Sequence, residues 1–261
     1  MSTISASGLQ RLKDRVAIVT GSSTGIGAAV AEAFGREGAK VVINHLGEEE
    51  AAQSVAERIR KAGSDAIVVE ADVANADAVS QMVESSHKAF GPIGILVNNA
   101  GIYPRDYWDT MTLEQWDRVF DVNLKGCYLC SQAVCDDMKT AGYGKIINVS
   151  SIAFVSGISL VHYGSSKAGV VGFNRALAVA LGPYNICVNA ILPGAVKVDR
   201  EIELDSAATR EATDKGAVAA QMIKRRATPV DMVGAFIFFA SRTSDWITGH
   251  CLAVDGGMTR Y

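Results

Sequence analysis

The chain has 261 residues, 49% of them hydrophobic and 20% charged, with a formal net charge of −3. That is an ordinary globular composition with enough length for a substantial core, and the slight negative charge gives no electrostatic footprint for nucleic acid. No apolar run approaches the ~18 residues a bilayer span needs, and Met1 to Arg15 lacks the apolar stretch of a secretory signal. The expectation is a cytoplasmic protein with neither a membrane nor a nucleic-acid partner.

From Arg15 to Thr20, RVAIVT is a short apolar, β-branched run, followed by glycines and a helical pattern from Ala28 to Gly38. A second strand at Lys40–Asn44 precedes a polar helix reaching Ala62, then a strand at Ala66–Val69, a helix at Ala76–Phe90 and a strand at Ile93–Val97. Helices fill Leu113–Met138, a fifth strand lies at Lys145–Val149, a helix at Tyr163–Leu181 and a sixth strand at Ile186–Leu192. After an irregular charged stretch, Met232–Ser241 reads as helix and Cys251–Val254 as the closing strand. Wholly apolar strands alternating with helices predict an α/β fold. It is a single doubly wound parallel sheet of about seven strands, with helices on both faces and residues 1–261 in one domain.

Five cysteines, Cys127, Cys130, Cys135, Cys187 and Cys251, argue by their odd count against a disulfide framework. Cys127 and Cys130 have the spacing of a metal or redox pair, but no second pair follows. They are read as buried free thiols, and no metal site is expected.

Gly21, Gly25 and Gly27 fall in TGSSTGIG, between the first strand and its helix, where backbone N–H groups can receive a pyrophosphate. A Cβ there would block phosphate or the neighbouring strand. The spacing is wider than GxGxxG, and a purely structural turn stays open on these residues alone. Further on, YGSSK sets Tyr163 and Lys167 on one helix face. An ammonium ~4 Å from a phenol, at an effective dielectric of ~20, supplies ~4 kcal/mol. That brings a group titrating near pH ~10 toward neutrality, where it can abstract a proton. The same spacing also occurs on solvated helix faces.

TGSSTGIG, Asp72 with Val73, NNAG at Asn98–Gly101, Asn123, the Ser150–Ser151 pair, YGSSK and Pro193–Gly194 together resemble, in order and separation, the motifs of the classical short-chain dehydrogenase/reductase family. The similarity runs from Arg15 to the closing LAVDGGM at Leu252–Met258. It implies a Rossmann-type fold, an NAD or NADP cofactor, and hydride transfer between a secondary alcohol and a ketone or aldehyde. Gly21, Ser23, Thr24, Gly25, Ile26 and Gly27 would line the pyrophosphate and adenosine ribose, with Asn44 and His45 beside that ribose. Asp72 and Val73 would meet the adenine. Asn98, Ala100 and Gly101 would lie where the strand order reverses, and Pro193, Gly194 and Val196 would complete the cofactor contacts with Tyr163 and Lys167.

The resemblance assigns catalysis to Asn123, Ser151, Tyr163 and Lys167. Tyr163 would exchange a proton with the substrate oxygen, Lys167 would lower its pKa and hold the nicotinamide ribose, and Asn123 would position water in a proton path. A serine would share the charge developing on the substrate oxygen. Counting from the strand selects Ser151 and counting back from Tyr163 selects Ser150; Ser151 is chosen because loops absorb deletions more readily than strands. Without the family, Asp72 can also be read as a strand-end or cap carboxylate and Asn123 as a satisfied core amide or a helix irregularity.

Two departures bear on the cofactor. Val198 stands where relatives carry a hydroxyl residue, and no acid ends the second strand, Glu48 coming late. Without a carboxylate there, a 2′-phosphate is not repelled, which favours NADP, although Thr24 replaces the basic residue of many NADP users. Residues 195–226 are expected to form a substrate lid of one or two helices, the alternative being a solvated surface excursion, with Tyr103, Trp108, Phe154, His162 and Met222 shaping the pocket or packing the core. The substrate is read as a sugar, polyol or ketone. The alternatives are a 3-oxoacyl-type carbonyl reductase and a non-catalytic dinucleotide-sensing scaffold. Small residues Gly164, Ala168, Gly169 and Gly172 suit close helix contact in a homotetramer.

Overall fold

The computed structural model describes residues 9–157 and 160–259. The expectation drawn for the first eight residues, and two residues of the loop counted between Ser151 and Tyr163, lie outside the described residues.

Among the described residues there are seven strands: β1 Val16–Val19, β2 Lys40–His45, β3 Ala66–Glu70, β4 Ile95–Asn98, β5 Gly144–Val149, β6 Ile186–Pro193 and β7 Cys251–Val254. They form one parallel sheet in the order β3-β2-β1-β4-β5-β6-β7, so the winding reverses between β1 and β4. β-branched residues dominate these runs because both faces are covered. Ala17 and Val19 of β1 enter one core with Phe34, Ile43, Ile59 and Phe236, while Val16 and Ile18 enter the opposite core with Val42, Met82, Leu96 and Val188.

The helices are α1 Gly25–Arg36, α2 Glu49–Lys61, α3 Ala76–Phe90, α4 Leu113–Phe120, α5 Gly126–Ala141, α6 Ala153–Ser156, α7 Val161–Leu181, α8 Arg200–Leu204, α9 Ala207–Ala220 and α10 Pro229–Ala240. The run expected to be helical from Leu113 to Met138 is interrupted by a π-helical turn, Asp121–Lys125, which carries Asn123. The Asn123 amide makes tertiary contacts, described below. No helix among the described residues is long and apolar enough to cross a membrane. All five cysteines are free, with Cys127 and Cys130 buried as expected.

Candidate active site

Parallel winding brings the C-terminal ends of β1, β4, β5 and β6 to one edge, and the loops beyond them build a cleft. At its floor Thr20 Oγ1 accepts the N–H groups of Asn99 and Ala100, both at 3.0 Å. Asn99 Nδ2 donates to the carbonyls of Thr20 and Gly21, each at 2.8 Å. This lacing leaves no room for side chains. A Cβ on Gly27 would lie 2.2 Å from the Gly21 oxygen, and one on Gly21, at φ +58°, 2.9 Å from the Ala100 Cα.

Thr24 begins α1 without a side-chain cap, and no acid stands in the first turn. The N–H groups of Gly25, Ile26 and Gly27 are therefore uncapped by side chains and carry the positive end of the helix dipole. Gly25, at φ +57°, bares this end to Val198, whose Cγ1 a Cβ there would meet at 3.5 Å. The expected pyrophosphate fits such a cradle.

Other residues assigned to the cofactor have structural partners. Asn44 is buried, its Oδ1 accepting the Gly21 N–H at 3.0 Å and its Nδ2 donating to the Ala71 carbonyl at 2.9 Å. His45 is buried too; its Nδ1 accepts the Glu48 N–H at 3.1 Å, while Nε2 lies 2.8 Å from Glu49 Oε2 but off the line of a hydrogen bond. Ser23 donates its hydroxyl to the Glu48 carboxylate, so the acid that comes late in sequence returns to the first turn. Asp72 is held by Arg118 at 3.1 Å and by the Ala74 N–H at 2.9 Å, and Val73 is packed where Gly126 leaves space. Asn98 turns under the sheet to Asn148 Oδ1 at 2.9 Å and Ser131 Oγ at 3.1 Å. Gly194 lies so close to Asp255 that a Cβ would meet its Cα at 2.7 Å; Pro193 ends β6 and Val196 bridges to Ala227.

Tyr163, Lys167, Ser151 and Asn123 converge beside this floor. Lys167 Nζ donates to the Val149 carbonyl at 2.8 Å and sits 5.8 Å from the Tyr163 ring centroid. Asn123 Oδ1 accepts the Ile102 N–H at 2.8 Å, while its Nδ2 donates to the Ile102 carbonyl at 2.9 Å and to Ser166 Oγ at 3.1 Å. A Cβ on Gly101 would lie 3.3 Å from both Asn123 Oδ1 and Lys167 Nζ. The serines part as alternating strand-end residues should. Ser150, buried, donates to the Lys167 carbonyl at 2.7 Å, whereas Ser151 stands beside the Tyr163 phenol and accepts the Ala153 N–H at 3.1 Å.

Burial pushes the Tyr163 phenol above its ordinary value; Ser151 and Arg105 pull it back only in part. The expected lowering by Lys167 is absent in the protein alone. Burial also pushes the Lys167 ammonium down, and its first acceptor is a backbone carbonyl rather than the phenol oxygen. The cluster thus offers a neutral proton donor, a hydroxyl beside it and a buried cation one turn away.

Sequence reasoning missed several neighbours. Ser166 donates to the Tyr163 carbonyl at 2.8 Å, and Arg105 and Asp106 pin the loop after β4. Only their proximity to NNAG could have pointed to them. Among the pocket candidates, His162 is fully buried, Phe154 packs with Ile152 and Leu192, and Trp108 and Met222 are exposed.

Residues 21–259 match the family model described as enoyl-(acyl carrier protein) reductase. The chain is 40% identical to L-rhamnose 1-dehydrogenase (NAD(P)(+)) of Azotobacter vinelandii, over 95% of this chain and 97% of that relative. It is 37% identical to a 3-oxoacyl-[acyl-carrier-protein] reductase of Synechocystis, over 96% and 99% respectively. A crystal structure of a short-chain type dehydrogenase/reductase from Mycobacterium marinum superposes with a TM-score of 0.86 at 31% identity, covering 99% of this chain and 100% of that one.

Proposed function

The chain belongs to the classical short-chain dehydrogenase/reductase family and is an oxidoreductase of alcohol or carbonyl groups that uses an NAD(P) nucleotide; from that premise we propose that it interconverts a secondary alcohol and the corresponding ketone, on a sugar, polyol or simple ketone. The observation that carries this reading is the convergence of Lys167 Nζ and Asn123 Oδ1 above Gly101, with Tyr163 one helical turn from Lys167 and Ser151 beside its phenol.

When bound, the nicotinamide supplies or accepts the hydride. Tyr163 gives a proton to the substrate oxygen or takes one from it, and Ser151 donates a hydrogen bond to that oxygen, where charge develops. Ser151 is preferred to Ser150, whose hydroxyl is engaged by the Lys167 carbonyl. Lys167 has Val149 as one acceptor and keeps its other N–H donors for the nicotinamide ribose. Asn123, whose Oδ1 converges with Lys167 above Gly101, is assigned to the proton path through water.

Because burial raises the Tyr163 phenol, it keeps its proton near neutral pH and is ready for carbonyl reduction. Oxidation needs the phenolate, so its rate climbs with alkaline pH as reduction falls. Tyr163→Phe tests the assignment: turnover drops about a thousandfold with nucleotide affinity unchanged, followed by absorbance of the reduced nicotinamide. A wild-type protein that binds nucleotide yet turns over no member of an alcohol and carbonyl panel supports the sensing scaffold instead. The Synechocystis relative favours a second reading, a 3-oxoacyl-type carbonyl reductase; faster turnover of 3-oxoacyl thioesters than of sugars in that panel would select it.

The choice between NAD and NADP turns on Glu48. The lean toward NADP rested on a missing acid, but this carboxylate receives the Ser23 hydroxyl beside the first turn, where it opposes a 2′-phosphate. We read the cleft as accepting either nucleotide, with Glu48→Gln tightening NADP more than NAD. A tetramer is supported by an open groove of about 450 Å³ lined by Phe120, Leu124, Tyr128 and Phe173; a monomer on sedimentation would reject it. Gly169 instead admits Leu124 of the same chain. Five free thiols suit the reducing cytoplasm.

A further inference from the structure

Between β4 and α4 the chain passes through Tyr103, Arg105 and Asp106, and each grips a different part of the cleft. The Tyr103 ring lies 5.8 Å from that of Tyr163, tilted by 58°. Arg105 reaches across to the end of α8, donating Nε to Asp205 Oδ1 at 2.9 Å and Nη2 to Oδ2 at 2.5 Å. The same guanidinium rests 5.3 Å from the Tyr103 centroid. Asp106 Oδ2 lies 3.3 Å from Nε2 of the buried His162, whose Nδ1 accepts the backbone N–H of Tyr163 at 2.8 Å.

Opposite, residues 195–226 have a fixed base. Arg226 Nε donates to the Ala195 carbonyl at 2.9 Å, Nη2 donates to Glu201 at 2.8 Å, and Nη1 pairs with Asp214. The tip, between α8 and α9, is attached by Asp205, whose side chain is only 8% exposed.

Resting on the reading of Tyr163 as the acid/base, we propose that Arg105 is a positioning residue. Its pair with Asp205 latches the tip of the lid onto the loop after β4, and closing the latch seats Tyr103 against Tyr163. A guanidinium fork suits this task because two parallel N–H···O bonds fix direction as well as distance. Tyr103 is held from one side by that cation and touches the reacting tyrosine on the other, so the position of the lid reaches the reacting ring through one side chain. Asp106 and His162 anchor the same loop to the start of α7, which leaves the Arg105 side of the loop as the one that answers to the lid. Arg105 also draws the Tyr163 phenol downward, against burial. Closure would then exclude water and complete the environment of the proton donor in one movement.

Hydrogen exchange of residues 200–220 in the full chain reads the latch directly, with kinetics alongside. Asp205→Asn and Arg105→Gln should each speed exchange there, raise KM about tenfold and lower kcat about fivefold, while exchange in the sheet stays unchanged. The charge-swapped pair Arg105→Asp with Asp205→Arg should restore slow exchange and KM but not kcat, because the cation then sits on the lid rather than over Tyr103. Unchanged exchange in both single variants, wild-type kcat in Asp205→Asn, or a swap that rescues nothing would overturn the proposal. Exchange needs no turnover, so a fully active Tyr163→Phe would remove the catalytic reading and leave the latch standing.

Discussion

Two walls of one cleft are fastened by opposite means. At the floor of the first wall, where the β1–α1 turn meets the start of the loop after β4, the bonds are part-buried and neutral, with Thr20 and Asn99 stitching backbone to backbone. The wall made by residues 195–226 is held by arginines, Arg226 at its base and Arg105 from across the cleft. Neutral bonds do not answer to salt or to the titration of their partners, while ion pairs form a joint that salt and pH can loosen. The first construction suits a ligand common to every turnover, and the second suits a substrate that must enter and leave.

Gly27→Ala attacks the neutral wall where it has no room. With a Cβ 2.2 Å from the Gly21 oxygen, the strain is about 3 kcal/mol, which lowers Tm by roughly 6 to 12 °C and removes nucleotide binding. Calorimetry and a nucleotide titration check both; an unchanged Tm would mean that this turn is as pliant as the other wall. Arg226→Gln should act on the charged wall alone. Losing its pairs with Glu201 and Asp214 costs about 2 kcal/mol, seen as faster exchange across 200–220 with nucleotide affinity intact. An equal loss of nucleotide affinity would erase the difference between the walls.

Acid should give the smallest effect. Arg105 holds the Asp205 carboxyl below its ordinary range, so the stabilisation from the pair is complete at neutral pH. It is lost as the pH falls below about 4 and through the lowered value. Proteolysis within 200–220 should therefore rise on acidification before the near-ultraviolet circular dichroism of the body changes. The reverse order would contradict the assignment of the loose joint to the lid.

How far the sequence could be read follows the same division. Strands such as Cys251–Val254 and the helix Ala76–Phe90 appear with the expected ends, because apolar period and β-branching are local signals. The two asparagines of NNAG show where local signals stop. Asn98 was expected at the cofactor, yet strand alternation sends it beneath the sheet and leaves Asn99 on the glycine turn. At Asn123 a helix irregularity was one of the local readings, and the π-turn is there, but its amide's partner, Ile102, stands 21 residues away and is not legible from the sequence. Arg105 and Asp205 stand 100 residues apart, and charges in a sequence do not announce their partners. The sequence offered only a count along the chain to choose Ser151 over Ser150; that the Ser150 hydroxyl donates to the Lys167 carbonyl is a tertiary fact no count could give.

The stitched turn that ends at Gly27 carries a kinetic consequence. Its conformational entropy is lost when the chain folds and not when a dinucleotide lands, so that partner docks on a finished surface. The lid proposed for residues 195–226 would still have to shut over the alcohol or carbonyl. That difference predicts a compulsory order, with the dinucleotide first on and last off. Oxidised and reduced nucleotide should compete only with each other.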